Sequence, residues 1–591
     1  MFAEHAEPQH VEHWPKTDQP LRIALLGWAR LSLQHREGSG YNLNASELAA
    51  GLARSGHSVL YVRSGMDYSL RPGMRIRFIE RWRGINCHHV FNSPNVAPAS
   101  ANFRNMPSEI ESPAHTRLVV DFLRTQRVQV AHIHSMEGYG LDLIAGLCDA
   151  GVRVVVTPHN YWFVCPQVDL LHAEREICFD YDGGRRCEGC LKARTPGFHR
   201  RVRRLEQSAQ RRLGTFAVGL GWHAARAVQR RLYGMDPKDV PFAGDLAQTD
   251  PESGAGFDAG VHTDTAIDPG LCLREIEAPK PPGVAPIDAN ERMLASREVH
   301  LRVLESNIYA RRRAAGIAAL NASDAVTPPS AFVLQTYEAM GLDPIRGGVV
   351  RLGQPHFDVI HRRTKRGPHY EARPWDARSA TRPLRLAFLG TVRPNKGLEV
   401  LAGAIERMPA GVRARCHVIV RAFGNDWAFR KRLSRFPEVS FAGGFEPWVI
   451  ASIAGEYDVG ILPHVWFENS PLVLLEHLHA GKMVISSRLG GPVEWAAEAR
   501  EDRVGNMLMF QGGDPDALAA AIGRVVSGEI PVPSAAEVHG VTPNLCDYPS
   551  HVANVERVYR SVLAAEGVPG EFRMVDGDGA MKNPQLTLGV R

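Results

Sequence analysis

Residues 466–481 read WFENSPLVLLEHLHAG, an apolar stretch that contains two carboxylates. Ser470 followed by Pro471 is typical of a helix N-cap and a first helical residue, so the stretch predicts a helix that begins there. Leucine and valine cover most of the circumference of this helix, which is typical of a buried helix. Glu476 therefore lies among apolar neighbours, where a carboxylate needs hydrogen-bond partners.

Glu468 precedes the predicted helix and lies where outward-pointing backbone N–H groups favour anions. A phosphate at the helix start, together with hydroxyl groups at Glu468 and Glu476, would satisfy every polar group of the segment. The alternative is a solvent-facing Glu468 and an ion-paired Glu476. This stretch alone does not decide between the two, because ion pairs also recruit buried acids.

The chain as a whole has the composition of an ordinary globular protein. It has 591 residues, of which 44% are hydrophobic and 23% charged, with a net charge of +5. The length allows about two to four domains, and the mild positive charge permits acidic partners without requiring nucleic acid. No apolar run is long enough to span a bilayer, and the polar N-terminus is unlike a signal peptide. We therefore expect a cytoplasmic protein with reduced cysteines, unless these bind metal.

Strand and helix patterns alternate in two separate parts of the chain, which predicts two parallel α/β sheets. The first alternation opens with the apolar strand LRIALLGW at 21–28 and includes strands at 128–135 and 152–160. The second opens with LRLAFLG at 384–390 and continues through the helix pattern at 514–526. Two doubly wound halves of this kind would face a cleft and bind ligands at their strand ends.

The same patterns divide the chain into two domains and several smaller parts. Periodicity weakens from Met235 to Asn290, where proline, glycine and aspartate are frequent, so we expect an irregular insertion. The predicted parts are a first domain at 20–380, with a cysteine-rich loop at 163–192 and an insertion at about 195–315, a second domain at 381–548, a helix at the domain junction at 549–567, and a tail at 568–591.

Three motifs in the second half resemble, in the same order, those of the retaining GT-B glycosyltransferases of family 4. FLGTVRPNKG at 388–397 is similar to the diphosphate loop of that family, ENSPLVLLE at 468–476 to its Glu-x7-Glu motif, and SRLGGPVEW at 487–495 to its Gly-Gly…Glu loop. In the first half, the glycine-bearing first loop, the His-x-His at 132–134 and TPHNYW at 157–162 are also similar to family segments.

This resemblance covers about residues 20–195 and 320–565. It implies a GT-B fold, with an acceptor-side first domain and a second domain that binds a nucleotide sugar. The implied reaction transfers a hexose from a nucleoside-diphosphate sugar to a glycan or lipid-linked acceptor with retention, in cell-surface polysaccharide or glycolipid assembly. A GT-B-fold nucleotide-sugar epimerase or hydrolase is the alternative.

The resemblance also implies a role for each polar residue of the second half. Glu476 would hold the ribose hydroxyls, and Glu468 would hold hydroxyls of the transferred sugar. Lys396 and the backbone N–H groups near Asn469 and Ser470 would hold the diphosphate. Such pre-placed donors stabilise the negative charge that grows on a departing phosphate.

Glycines and one arginine complete the implied donor site. Thr391 stands where the family usually has arginine, and Arg393 is the candidate to replace it. The first loop, GSGYNL at 38–43, is not a dinucleotide fingerprint, because its third glycine is missing and no acid ends the next strand. The implied donor-binding glycines are Gly38, Gly40, Gly390, Gly490 and Gly491.

His159 ends a predicted strand at the sheet edge where α/β enzymes collect their chemistry. The resemblance implies that it contacts the transferred sugar, and the alternative is a core histidine bonded to the backbone. His159, Glu468 and Lys396 are therefore the catalytic candidates. No dedicated carboxylate nucleophile is evident, and no Asp-x-Asp motif follows a sheet strand, so we expect no catalytic metal.

Four cysteines, Cys165, Cys178, Cys187 and Cys190, follow closely and end in Cys-x2-Cys. This grouping predicts a structural zinc site, with scattered free thiols as the alternative.

Arg200 to Arg212 is an arginine-dense helix candidate that fits either a solvated face or an anionic lipid surface at the inner face of a membrane. A nucleic-acid binder would interleave such arginines with stacking aromatics, which this stretch lacks, so we expect no nucleic-acid partner.

Overall fold

A computed structural model of the chain describes residues 14, 16–31, 40–191, 193, 195–210, 212, 283–424, 426–445, 449–500, 503–543 and 545–573. The strands of these residues form a seven-stranded sheet, a six-stranded sheet and a two-stranded ribbon. The larger sheet belongs to an N-terminal lobe and the six-stranded sheet to a C-terminal lobe. This arrangement matches the two predicted α/β alternations.

The N-terminal sheet has the order β3-β4-β2-β1-β5-β6-β9, and every neighbouring pair is parallel except β3 with β4. The strands are β1 (Arg22–Gly27), β2 (Ser58–Asp67), β3 (Arg75–Trp82), β4 (Ile85–Phe91), β5 (Val130–Ile133), β6 (Arg153–Val156), the ribbon strands β7 (Leu171–His172) and β8 (Glu176–Ile177), and β9 (Ala325–Val326). Because β1, β5 and β6 are parallel neighbours, the loops that follow them meet at one edge of the sheet.

Helices cover both faces of this sheet and continue toward the second lobe. They are α1 (Gly40–Arg54), α2 (Ala99–Asn102), α3 (Met106–Ile110), α4 (Pro113–Thr125), α5 (Asp142–Asp149), α6 (Arg185–Glu188), α7 (196–210), α8 (Ala289–Ala295), α9 (Arg297–His300), α10 (Ile308–Ala322), α11 (Ala331–Ala339) and α12 (Pro355–Arg366). No helix of the described residues is both long and apolar enough to cross a membrane.

The C-terminal sheet is parallel throughout, in the order β12-β11-β10-β13-β14-β15. Its strands are β10 (Leu384–Thr391), β11 (Cys416–Phe423), β12 (Val439–Phe441), β13 (Val459–Leu462), β14 (Met483–Ser487) and β15 (Met507–Phe510). The helices of this half are α13 (Leu398–Arg407), α14 (Ala410–Arg413), α15 (Trp427–Leu433), α16 (Ile450–Ile453), α17 (Leu472–His479), α18 (Pro515–Ser527), α19 (Ala535–Val541) and α20 (Tyr548–Leu563). β10 and β13 are central neighbours, so the loops after them lie side by side.

The last helix, α20, returns to the N-terminal lobe and packs into its core. Val552, Val555 and Val558 are buried against residues of α1 and β1. The hydroxyl of Tyr548 donates to the Glu47 carbonyl at 2.6 Å, and that of Tyr559 lies 2.6 Å from Nδ1 of His132. α20, which follows the C-terminal lobe in the sequence, is therefore packed in the N-terminal lobe.

Two predicted boundaries need correction. α1 begins at Gly40, so the loop predicted to extend to Leu43 already forms its first turn. Pro471 is the N-cap of α17 with an extended ψ of 128°, so the helix begins at Leu472 and not at Pro471. Within the predicted insertion at about 195–315, the structure forms α8, α9 and the start of α10, and α8 buries Ala289 and Met293.

The predicted helix in the arginine-dense segment is confirmed at 196–210. Most of the predicted irregular segment, 213–282, lies outside the described residues, as does the predicted tail from residue 574 onward.

Buried histidines in both lobes make the stability of the fold depend on pH. Burial lowers the pKa of His132, His477 and His479 to about 3, far below the ordinary value of 6.5. The unfolded chain therefore binds protons at a higher pH than the folded chain does. These histidines therefore do not reduce the free energy of unfolding above about pH 6.5, and they reduce it progressively as the pH falls from there toward 3.

We expect the free energy of unfolding to fall between pH 6.5 and pH 4, by up to about 1.4 kcal/mol per pH unit for each such histidine. Urea unfolding followed by tryptophan fluorescence at several pH values would measure this slope, and His477→Gln should make it shallower. A stability that is constant from pH 7 to pH 4.5 would contradict the burial of neutral histidines.

Candidate active site

The two lobes meet where the starts of α1 and α17 approach each other. A Cβ atom added to Gly40 would lie 3.1 Å from Cδ1 of Leu472, so the two helix starts are in contact. Nδ2 of Asn469 donates to the Pro158 carbonyl at 3.2 Å, directly before His159. The polar residues predicted in the two halves therefore line opposite walls of one cleft.

Glu476 is buried in α17 with only 3% of its surface exposed. Its Oε1 lies 3.0 Å from Nε2 of His356, which comes from the first turn of α12. Its Oε2 has no hydrogen-bond partner among the described residues. Leu475 and Leu478 beside it are also buried, so the carboxylate is surrounded by apolar groups and only half satisfied.

Glu468 is also buried, which excludes the solvent-facing alternative. Lys396 donates a hydrogen bond to its Oε1, because the loops after β10 and β13 are neighbours. Burial alone would raise the pKa of Glu468, but the charges of Lys396 and His464 hold it below its ordinary value. The carboxylate is therefore ionised at neutral pH. Nζ of Lys396 also lies 5.3 Å from the ring centroid of Trp466.

The start of α17 presents buried polar atoms that the described chain leaves unpaired. Oδ1 of Asn469 and Oγ of Ser470 have no partner there, although both residues are less than 9% exposed. Ser470 does not cap the helix as predicted, since Pro471 extends the backbone between them. Buried polar atoms are normally satisfied, so this group of atoms points to a polar ligand.

Gly490 and Gly491 allow their loop to lie directly on the backbone of the Glu468 segment. A Cβ atom at Gly490, which has φ +70°, would lie 2.3 Å from the Glu468 carbonyl oxygen, and one at Gly491 would lie 1.9 Å from that of Asn469. The Gly491 N–H donates to the Glu468 carbonyl at 2.8 Å. Gly390 lies near the end of β10, where an added Cβ would make only ordinary contacts.

His159 lies on the N-terminal wall of the cleft and is half-buried. Its Nε2 lies 3.0 Å from Nδ1 of His134, and its ring stacks on Tyr41 at a centroid distance of 5.8 Å. Burial, and then the charge of His551, lower the pKa of His159 to about 3. A neutral His159 can donate or accept a hydrogen bond but does not act as a charged acid at neutral pH.

His132 is bonded on both sides, to Tyr559 and at 2.8 Å to Thr157. Both ring nitrogens of His132 are therefore engaged within the protein.

Arg393 is exposed on the loop after β10. Its charge acts on two groups of the N-terminal lobe, Tyr41 and Asp169. Burial raises the pKa of Asp169 to about 7, against the effect of the hydrogen bond from Leu171 and of the Arg393 charge. Gly38, predicted in the first loop, lies outside the described residues.

Sequence reasoning missed His356, Tyr41 and Asp169. No spacing rule links any of them to the residues that they face, and only the folded chain brings them to the cleft.

The zinc site predicted at Cys165, Cys178, Cys187 and Cys190 stays a prediction. All four are free, and no group of three or more His, Cys, Asp or Glu side chains within the described ranges is arranged to hold a metal ion. The thiol of Cys178 donates to the Asp180 carbonyl at 3.6 Å, and Sγ of Cys190 accepts from the Ala173 N–H at 3.3 Å. The four thiols are near enough to one another for the charge of each of the other three to act on Cys165.

Residues 383–527 match the sequence model of a family described as Glycosyl transferases group 1. This segment contains the C-terminal sheet together with Lys396, Glu468 and Glu476. The match therefore lies within the C-terminal lobe. A comparison with curated proteins found no match.

Solved structures resemble nearly the whole chain. α,α-Trehalose 6-phosphate synthase from Burkholderia multivorans aligns with 93% of this chain and 100% of its own, at 11% identity and a TM-score of 0.50. Sucrose-phosphate synthase from Thermosynechococcus elongatus aligns with 92% of this chain and 100% of its own, at 14% identity and a TM-score of 0.47. The GT-B fold predicted from the sequence is confirmed.

Removing Lys396 would leave the ionised Glu468 buried without its cation. We expect Lys396→Ala to lower the free energy of unfolding by about 1–3 kcal/mol, the cost of an unpaired buried acceptor. In the double variant, which combines Lys396→Ala with Glu468→Gln, part of this loss should be recovered, because the side chain at position 468 is then neutral. Urea unfolding of the three proteins measures both effects.

The control is Arg488→Ala, which breaks the more exposed pair with Glu498 in the same lobe. Such a pair contributes about 1 kcal/mol or less. If Lys396→Ala costs no more than Arg488→Ala, or if Glu468→Gln brings no recovery, the Lys396–Glu468 pair is not a buried charge pair.

Proposed function

We propose that the chain is a retaining glycosyltransferase of family 4 that transfers a hexose from a nucleoside-diphosphate sugar to an acceptor. The observation that carries this proposal is the unpaired Oε2 of the buried Glu476, at the base of a cleft that also holds Lys396 and the unpaired Ser470. A nucleotide sugar offers ribose hydroxyls, an anionic diphosphate and sugar hydroxyls in one molecule. These three groups match the three kinds of polar atom in the cleft.

In this proposal, Oε2 of Glu476 accepts a ribose hydroxyl while His356 holds the other carboxylate oxygen. The bond to His356 fixes the carboxylate, so no reorientation is needed when the nucleotide enters. Lys396, Arg393 and Ser470 receive the diphosphate at the start of α17, where the helix dipole favours negative charge. Glu468 then exchanges part of its contact with Lys396 for hydroxyls of the sugar.

The bond between the anomeric carbon and the diphosphate breaks as the acceptor oxygen forms a new bond to that carbon on the same face. The acceptor proton passes to the departing phosphate oxygen. Lys396 and the helix N–H groups lie where negative charge develops, and donors placed in advance at such a position lower the barrier. His159, neutral by burial, provides a hydrogen bond to the transferred sugar.

For the acceptor we propose a glycan or a lipid-linked glycan, used in cell-surface assembly at the inner face of a membrane. The proposal is supported by exposed apolar side chains at one edge of the N-terminal sheet. Leu70, Phe78 and Ile79 are 54%, 56% and 40% exposed there, and several arginines lie among them. The arginine-dense α7 gives less support, because Arg200 and Arg203 donate to backbone carbonyls of the protein itself.

A panel of UDP- and GDP-linked sugars tests the proposal by thermal shift. We expect at least one donor to raise the melting temperature, since a ligand at 100 times its Kd stabilises a protein by about 2.7 kcal/mol. Glu476→Ala should abolish this shift, because it removes the acceptor of the ribose hydroxyls. Glu456→Ala, which removes an exposed acid of the same lobe, is the control and should keep the shift.

The proposal fails if no donor stabilises the wild-type protein or if Glu476→Ala responds as the wild type does. Release of nucleotide without any acceptor would instead identify a nucleotide-sugar hydrolase, and conversion of the sugar without release would identify an epimerase.

A further inference from the structure

Residues 283–304, the end of the predicted insertion, form a strap that contacts both lobes. On the C-terminal lobe, the Ala285 N–H donates to the Gly512 carbonyl at 2.8 Å, and Nε2 of Gln511 donates to the Ala285 carbonyl at 2.8 Å. On the cysteine-rich loop, the guanidinium of Arg292 lies 4.4 Å from the ring centroid of Phe179. The strap is thus held at several points and has a defined path across the cleft.

Asn290, in helix α8 of the strap, bonds to both polar groups of one residue of the glycine loop. Its Oδ1 accepts from the Gly490 N–H at 2.8 Å, and its Nδ2 donates to the Gly490 carbonyl at 3.2 Å. The side chain is 8% exposed, so water competes little for these bonds. One amide therefore fixes both the position and the orientation of this peptide backbone.

The glycine loop is held at its other end by a second element outside the C-terminal sheet. The carboxylate of Glu494 accepts the N–H groups of Ala331 and Phe332 at 3.0 and 2.6 Å, at the start of α11. The loop is therefore held between two contacts, Asn290 at Gly490 and α11 at Glu494. Neither Asn290 nor α11 is part of the C-terminal sheet, from which the loop extends.

The fixed loop in turn positions Glu468. Gly490 and Gly491 lie on the Glu468 backbone at distances that only glycine permits, and the Gly491 N–H bonds to the Glu468 carbonyl. The Glu468 side chain bonds to Lys396. A continuous series of contacts thus leads from Asn290, through the glycine loop, to the acid and the lysine of the cleft.

We propose that Asn290 is a positioning residue of the donor site, supplied by the strap. It holds the Gly490–Gly491 loop and through it sets the place of Glu468, so the affinity for donor depends on a residue from the insertion. This inference rests on the proposed function, because it assigns Glu468 to the donor sugar.

The test compares Asn290→Ala with Arg292→Ala, a variant of the same helix whose side chain contacts Phe179 and not the loop. The probes are UDP, GDP and the UDP- or GDP-linked sugar that stabilises the wild type, with Kd measured by calorimetry and KM and kcat measured by turnover. We expect Asn290→Ala to raise the Kd and KM of the nucleotide sugar about tenfold, as expected when two ordinary hydrogen bonds are lost.

The kcat at saturating donor should stay within about threefold of the wild-type value, because the reacting groups remain. Arg292→Ala should leave the donor Kd unchanged. Asn290→Gln, which keeps both hydrogen-bonding groups, should recover part of the affinity. If Asn290→Ala does not fold, Asn290→Asp keeps the shape and the acceptor but loses the donor, and an increased Kd is again expected.

Equal donor affinity of wild type, Asn290→Ala and Asn290→Asp would overturn the inference and leave the proposed function intact. Equal losses in Asn290→Ala and Arg292→Ala would also overturn it, since the strap would then act only through general packing. If the wild type binds none of the probes, the proposed function fails, and the inference fails with it.

Discussion

The carboxylate of Glu476 is the constraint on which the rest of the cleft depends. It lies in an apolar helix with one oxygen bonded to His356 and the other without a partner in the described chain. An unsatisfied buried acceptor costs about 1–3 kcal/mol, and more when it is charged. A ligand that supplies a hydroxyl at this point accounts for both the burial and the missing partner.

The architecture brings the remaining polar groups to the same place. β10 and β13 are parallel neighbours, so their following loops deliver Lys396 and Glu468 to one edge of the C-terminal sheet. β5 and β6 deliver His134 and His159 to the corresponding edge of the N-terminal sheet. α20 crosses back to the N-terminal core, where its valines are buried against α1 and β1. The cleft is therefore a consequence of strand order and of one returning helix.

The features of the site that depend on local pattern could be predicted from the sequence. The apolar run around Glu476 indicated a buried helix, and the structure confirms it. The features that depend on tertiary packing could not. His356 reaches Glu476 from a distant helix, and Pro471 delays the helix start so that Ser470 is left without a capping role.

Spacing alone does not determine where side chains point. The cysteines have a spacing that suits metal binding, and the sulfur atoms of Cys178 and Cys190 bond to separate backbone groups, so the zinc site stays a prediction. The irregular part of the insertion was predicted to end near Asn290, and the helices of the strap, α8 and α9, follow from Ala289. Burial of a few apolar residues against the finished lobes, as for Met293, outweighs a weak local pattern.

The most direct test of the central claim is calorimetric binding of UDP or GDP, whichever the protein binds, and of its 2′,3′-dideoxy analogue. Both ligands would be titrated into the wild-type protein and into Glu476→Ala. If Oε2 of Glu476 is completed by a ribose hydroxyl, the analogue binds the wild type at least about tenfold more weakly, since hydrogen bonds to charged groups contribute about 1.5–3 kcal/mol. The variant should then bind both ligands equally. An equal affinity of the wild type for both ligands, or the same loss in wild type and variant, would contradict the account.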